Sequence, residues 1–192
     1  MSKQVKNALF LNEKPFSTIK STNDGLIKPE SFDITPKYYS SILMRGYVTS
    51  YYINIDSKLV LKDLSVNVNM NDDLKFINGI APHISSKTNI TFGTTYRIYK
   101  NINMTVEYSG YILVGCNEIK NNYKNSKLHG VNYEEVIELE LEKGKVISIK
   151  NLSDKYNQHR TKIESKDSQL NISNKIFDDE IKKWRDQNFK YA

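Results

Sequence analysis

The residues whose type and spacing come nearest to a reactive site are four carboxylates on one short stretch, Glu134, Glu138, Glu140 and Glu142. Paired carboxylates can work as general acid and base or hold a divalent cation. Here they fall on alternate positions, which on a β-strand is one solvated face, with Val136 as its apolar exception. Glu135 points the other way at the open end of the same strand. Cys116 is the only cysteine and follows the apolar residues 112–115. A nucleophilic thiol needs a depressed pKa, so a buried, inert position is expected. His83, His129 and His159 stand apart, each in a predicted loop or linker, at no metal-ligand spacing. A glycine-rich phosphate loop, a nucleophile elbow and a paired-cysteine zinc motif are all missing from the sequence. The reading therefore predicts no catalytic residue, no metal ligand and no cofactor. The polar group of most interest is Glu107 with Tyr111 and the strand start at Arg45 and Tyr47. If their strands are neighbours they line a cleft; the simpler outcome is a cross-strand Arg–Glu pair of structural value. Trp184, the single tryptophan, is the candidate for partner contact at the other end of the chain.

The elements that must position these side chains are mostly strands. Residues 45–68, RGYVTSYYINIDSKLVLKDLSVNV, read as two long strands joined by a turn at Asp56-Ser57. Alternation puts Tyr47, Thr49, Tyr51 and Ile53 on one face. In the second strand Val60, Leu64, Val66 and Val68 point one way and Leu59 and Leu61 the other, so both faces are expected to be partly covered. Gly46 marks a place where another backbone can approach closely. Before this pair, residues 8–11 and 16–19 form a first hairpin about a turn at 12–14, and a short strand is expected at 31–34. After it come a brief strand at 74–77, a loop at 82–88 and β character at 90–100. One alternating strand is then expected over 102–114, followed by a polar loop at 117–132. Strands at 134–142 and 145–152 turn at Lys143-Gly144. Expected core residues are Ile53, Leu61, Val106, Ile112 and Leu139. The fold class is mainly β, an antiparallel meander, sandwich or partly open barrel, with a C-terminal α-helix. Residues 1–152 make the β domain, 153–173 a polar linker and 174–190 an amphipathic helix with Phe177, Ile181 and Trp184 on one stripe.

Length and charge narrow the function classes. A chain of 192 residues suits one domain with an appendage. The apolar run near the N-terminus is shorter than a signal-peptide core of about 7–15 residues, and no stretch reaches the roughly 18–20 apolar residues of a membrane helix. A cytoplasmic protein without a membrane partner is the expectation. The net charge is +6, but the lysines are spread along the chain rather than gathered into a stripe, so specific nucleic-acid recognition is not predicted.

RGYVTSYYI (45–53), KLVLKDL (58–64), MTVEYSGY (104–111) and EEVIELELEKGKVI (134–147) together resemble a loose family of small bacterial β-rich proteins in which an RGY strand leads into a hairpin. The resemblance spans about half the chain, implies a β-rich fold, and carries no established activity or catalytic residue. Two function classes follow. One is a non-enzymatic interaction or binding protein of a bacterium or phage, immunity- or defence-associated, with a protein partner or a second copy as its target; its tyrosine-rich sheet suits an interface. The other is a ligand-binding or catalytic small β-barrel with a pocket near Arg45, Tyr47, Glu107 and Tyr111.

Overall fold

The computed structural model describes residues 5–22, 26–89, 93–119 and 129–167. Its strands are β1 (Ala8–Leu11), β2 (Lys14–Ser21), β3 (Tyr47–Ile53), β4 (Leu59–Asn69), β5 (His83–Asn89), β6 (Thr94–Tyr99), β7 (Met104–Thr105), β8 (Gly110–Glu118), β9 (Tyr133–Glu142) and β10 (Lys145–Asn151). A helix, α1 (Ser153–Asp167), follows. The ten strands form one sheet in the order β10-β9-β8-β2-β1-β3-β4-β6-β5, with β7 also paired to β4. All pairings are antiparallel except β1 with β3. This is the mainly β class expected, with one C-terminal helix, and the sheet does not close into a barrel. Among the described residues no helix is long and apolar enough to cross a membrane.

The sheet curls around its own core. Leu9, Phe16, Tyr51, Leu59, Leu61, Leu64, Val66, Tyr99, Val106, Ile112, Val114 and Leu139 meet in one buried cluster drawn from strands all along the order. Four of the five expected core residues are buried in it, and Ile53 packs half-buried against it. One sequence expectation changes at β4. Tyr51 pairs with Leu61 and Ser50 with Asp63, so Lys62 is an extra residue on the β4 side. A bulge of this kind inverts the alternation beyond it. Leu59 and Leu61 before it, and Leu64, Val66 and Val68 after it, therefore all face the same core.

The outer face of β8 and β9 carries a second, smaller cluster: Leu113, Val131, Tyr133, Val136, Leu152 and Tyr156. Its cover is α1. The stretch 153–173 reads as a linker by polarity, but its first fifteen residues are this helix. Tyr156, His159 and Arg160 form its buried stripe, at the i, i+3, i+4 spacing of one helical face. Arg160 Nη1 donates to the Tyr133 carbonyl at 2.7 Å. The amphipathic helix expected at 174–190 lies outside the described residues.

Other boundaries shift for local reasons. The short strand expected at 31–34 is instead the end of a 3₁₀ turn, Pro29–Phe32, which Pro29 opens. Residues 74–77 form no strand; Ile77 and Ile80 make an isolated bridge about Asn78-Gly79. The expected loop at 82–88 is β5, paired to β6. The single strand expected over 102–114 is two, because the chain pairs with β4 at β7 and then crosses to lie between β2 and β9. Inside the expected polar loop, residues 129–132 form a 3₁₀ turn whose Gly130 and Val131 are buried.

Candidate functional site

A cleft of about 320 Å³ opens at the rim where β2 ends and β3 begins. Four segments build it: residues 5–7, 18–21, 26–28, and the Arg45–Tyr47 corner. Asn7 is the hub. Its carbonyl accepts the Thr18 amide at 2.8 Å, and its Oδ1 accepts the Thr49 amide at 3.0 Å and Arg45 Nη2 at 2.6 Å. The N-terminal segment is thereby stitched to β2 on one side and β3 on the other. Tyr51 donates its hydroxyl to the Ile27 carbonyl at 3.3 Å, anchoring the third segment. Gly46 makes the corner possible. It has φ +74°, and a Cβ there would fall 2.0 Å from the Lys37 carbonyl oxygen; only glycine accepts both demands.

Arg45 is held by neutral oxygens. Nε donates to the Tyr47 carbonyl at 2.8 Å, Nη2 to Asn7 Oδ1 and to the Val5 carbonyl at 3.3 Å. The guanidinium lies 5.0 Å from the Tyr47 ring centroid, within cation–π range. Burial lowers its pKa from the ordinary guanidinium value, yet a guanidinium keeps its proton. Nη1 makes no hydrogen bond to a described residue. Lys6, Lys20 and Lys28 also line the cleft, and no carboxylate does among the described lining residues. The positive charge extends beyond it: burial, then Lys6 and Lys20, push the His129 pKa down. Thr18 Oγ1, on the lining, is buried without a hydrogen-bond partner.

The sequence placed Arg45, Tyr47, Glu107 and Tyr111 together; the structure joins only the first two. β1 and β2 stand between β3 and β8. Glu107 is exposed and follows Val106, whose amide donates to Leu59 at the far end of the β3–β4 pair. The expected Arg45–Glu107 pair therefore does not form. Tyr111 is closer, bonded through its backbone to Thr22 beyond β2. Its hydroxyl, however, donates to Glu140 at 2.5 Å, and its ring packs on the outer cluster. Trp184 lies outside the described residues. Asn7, Lys6, Thr18, Lys20 and Lys28 were not singled out by the sequence, although the first hairpin's turn sets Asn7 beside Thr18 and so carries Lys6 and Lys20 to one edge.

The remaining titratable groups are arranged for packing. Cys116 Sγ donates to Glu135 Oε2 at 3.2 Å, and the same oxygen takes the Lys14 ammonium. Burial first, then the Glu135 carboxylate, raises the thiol pKa, while Lys14 lowers that of Glu135. Glu138, expected on a solvated strand face, is 6% exposed beside Tyr156 of α1 and 4.0 Å from Lys150. His159, expected in a linker, is 4% exposed. Among the described residues, no group of three or more His, Cys, Asp or Glu gathers as metal ligands. The chain matches no protein-family model, no curated protein and no solved structure.

Proposed function

We propose that this chain is a non-enzymatic binding protein that takes its partner or ligand at the rim cleft beside Arg45 and Tyr47. The observation that supports it is the division of labour within the sheet. The concave interior is filled by Tyr51, Leu61, Leu64, Tyr99, Ile112 and Leu139, each essentially fully buried, which leaves no room for a substrate inside the curl. One recess lies instead at the rim, on a corner held by hydrogen bonds from three directions. A ligand-binding or catalytic barrel would need an open interior or a reactive constellation in the recess. The cleft lining holds cations, hydroxyls and apolar side chains rather than a nucleophile beside a base.

Site-specific photocross-linking in the native cells tests this. A benzoylphenylalanine replacing Leu26, on the cleft, is expected to give a discrete adduct by intact mass, whether from a macromolecule or a small ligand. The same group replacing Ile55, fully exposed in the β3–β4 turn, is expected to give none. Equal labelling at both positions, or none at Leu26, refutes the cleft as the binding site.

A further inference from the structure

We infer that residues 73–76 form an open backbone edge that docks an extended, apolar segment of a partner protein by strand addition. The surface is separate from the rim cleft, since none of these residues lines it. Leu74 is 52% and Phe76 65% exposed. Single exposed apolar residues are ordinary, but a large pair on a fixed backbone points to a contact. Slack does not explain the exposure. Arg97 grips the Asp72 and Asp73 carbonyls, Tyr99 donates to the Lys75 carbonyl at 2.9 Å, and Ile77 just beyond is fully buried. Asn78 Nδ2 then donates to the Ile102 carbonyl at 2.7 Å. The spacing of these grips is that of an edge strand. The carbonyls of Asp73 and Lys75, two residues apart, both turn inward, and the side chains of the same two residues line one recess with Arg97. An extended chain alternates its backbone groups as well as its side chains. The N–H and C=O groups of Leu74 and Phe76 therefore face away from the fold, and their side chains share the other face. Among the described residues neither spends its backbone N–H or C=O on a hydrogen bond. Ile84, also exposed, is the cross-strand neighbour of Arg97 on the outermost strand β5, which puts a third apolar side chain next to the gripping guanidinium. An added strand meets both demands at once. It pairs with the outward backbone groups and lays its own alternate apolar side chains on Leu74 and Phe76. A lipid surface would leave those backbone groups unsatisfied in hydrocarbon. Because the segment is already held in place, docking gives up little conformational freedom.

Selection of a random-peptide display library on the full chain tests this. Enriched peptides are expected to carry apolar residues at alternate positions. The most enriched one, synthesised and titrated by fluorescence anisotropy, should bind saturably and protect the Leu74 and Phe76 amides from hydrogen exchange. Phe76→Ser should weaken it by about tenfold or more and Leu74→Ser by several-fold. Both variants should keep the wild-type urea midpoint, since the replaced side chains are exposed. Ile55→Ser, at a fully exposed isoleucine in the β3–β4 turn, should keep wild-type affinity. N-methylation of alternate peptide residues removes the pairing N–H groups in one alternation and not in the other, so one methylated peptide should lose binding and its counterpart should keep it. No enrichment, binders indifferent to Phe76→Ser, or equal tolerance of both methylation patterns would overturn the inference. So would a dimer of the chain alone, or binding to phosphatidylcholine vesicles, that Phe76→Ser abolishes, because the occupant would then be a second copy or a lipid surface.

Discussion

Arg97 is 3% exposed, a charge that the interior tolerates only with compensation. Nη1 donates to the Asp73 carbonyl at 2.5 Å and Nη2 to that of Asp72, so β6 grips the stretch that leaves β4. Tyr99 adds a bond to the Lys75 carbonyl at 2.9 Å. Arg97→Met is expected to cost about 2–4 kcal/mol in urea unfolding, because two carbonyls lose charged donors. Tyr99→Phe should cost about 1 kcal/mol. A wild-type midpoint for Arg97→Met would mean that water replaces the guanidinium at these carbonyls. Cys116 should be slow to alkylate in the native state, since burial and Glu135 both hold the thiol protonated. Glu135→Gln should speed labelling; a slower or unchanged rate would show that burial alone controls it. His159 sets a pH dependence. Burial, then Lys162, depresses its folded pKa below 6.5. The unfolded chain therefore binds the proton more readily, and stability present above pH 6.5 is lost as the pH falls toward the folded pKa. His159→Gln should flatten the thermal-stability profile between about pH 7 and 5; an equally steep loss in the variant would place the titration elsewhere. At this scale the sequence set Arg45 and Tyr47 beside Glu107, and the structure brings together only the first two. Residue spacing along the chain says nothing of which strands intervene, and lysines at 6, 20 and 28 look dispersed until the register brings them together.

Elements were legible where burial was apolar and periodic. The first hairpin turns on Asn12 and Glu13, both at positive φ, and β9 ends and β10 begins on either side of the Lys143-Gly144 turn signal. Two failures have physical causes. At β4 the residues were read by strict alternation, but the bulge at Lys62 is invisible to a period-two pattern. At α1 the buried stripe is Tyr156, His159 and Arg160, which hydropathy scores as polar or nearly so. Burial there is sustained by hydrogen bonds to Val131 and Tyr133 carbonyls rather than by an apolar seam. The Tyr156 ring lies so close that a Cβ at Gly130 would fall 2.4 Å from it. Tyr156→Ala is expected to cost about 3 kcal/mol or more by equilibrium unfolding. Truncation after Leu152 should add binding of a hydrophobic dye, as Val131, Tyr133 and Val136 lose their cover. If the truncated chain keeps full stability and binds no dye, α1 is an appendage rather than part of the fold.

The whole molecule is a sheet that curls without closing, and one rim carries the contact that keeps it curled. There the β9–β10 turn meets the β3–β4 turn. The Leu59 amide donates to the Gly144 carbonyl, the Gly144 amide to Tyr108 and the Val146 amide to Ser57, each at 2.8 Å. Three stretches distant in sequence thus meet through backbone bonds that leave no space for a side chain. Gly144 has φ +79°, and a Cβ on it would fall 2.2 Å from the Val106 carbonyl oxygen. Gly79 provides the control: φ +77° with nothing within 4 Å of its Cβ position. Gly79→Ala should therefore lose only the backbone preference, about 1–2 kcal/mol. Gly144→Ala carries that loss plus a clash with backbone, which can be relieved only by parting the two turns, and should cost about 3 kcal/mol or more. Hydrogen exchange locates the damage. In Gly144→Ala the Leu59, Val106 and Val146 amides should lose protection together, since each depends on the same junction, while Asn67 and Thr49, near the opposite rim, keep theirs. Equal costs for the two glycine substitutions would show that the turns part freely and that the curl is maintained by the filled interior alone.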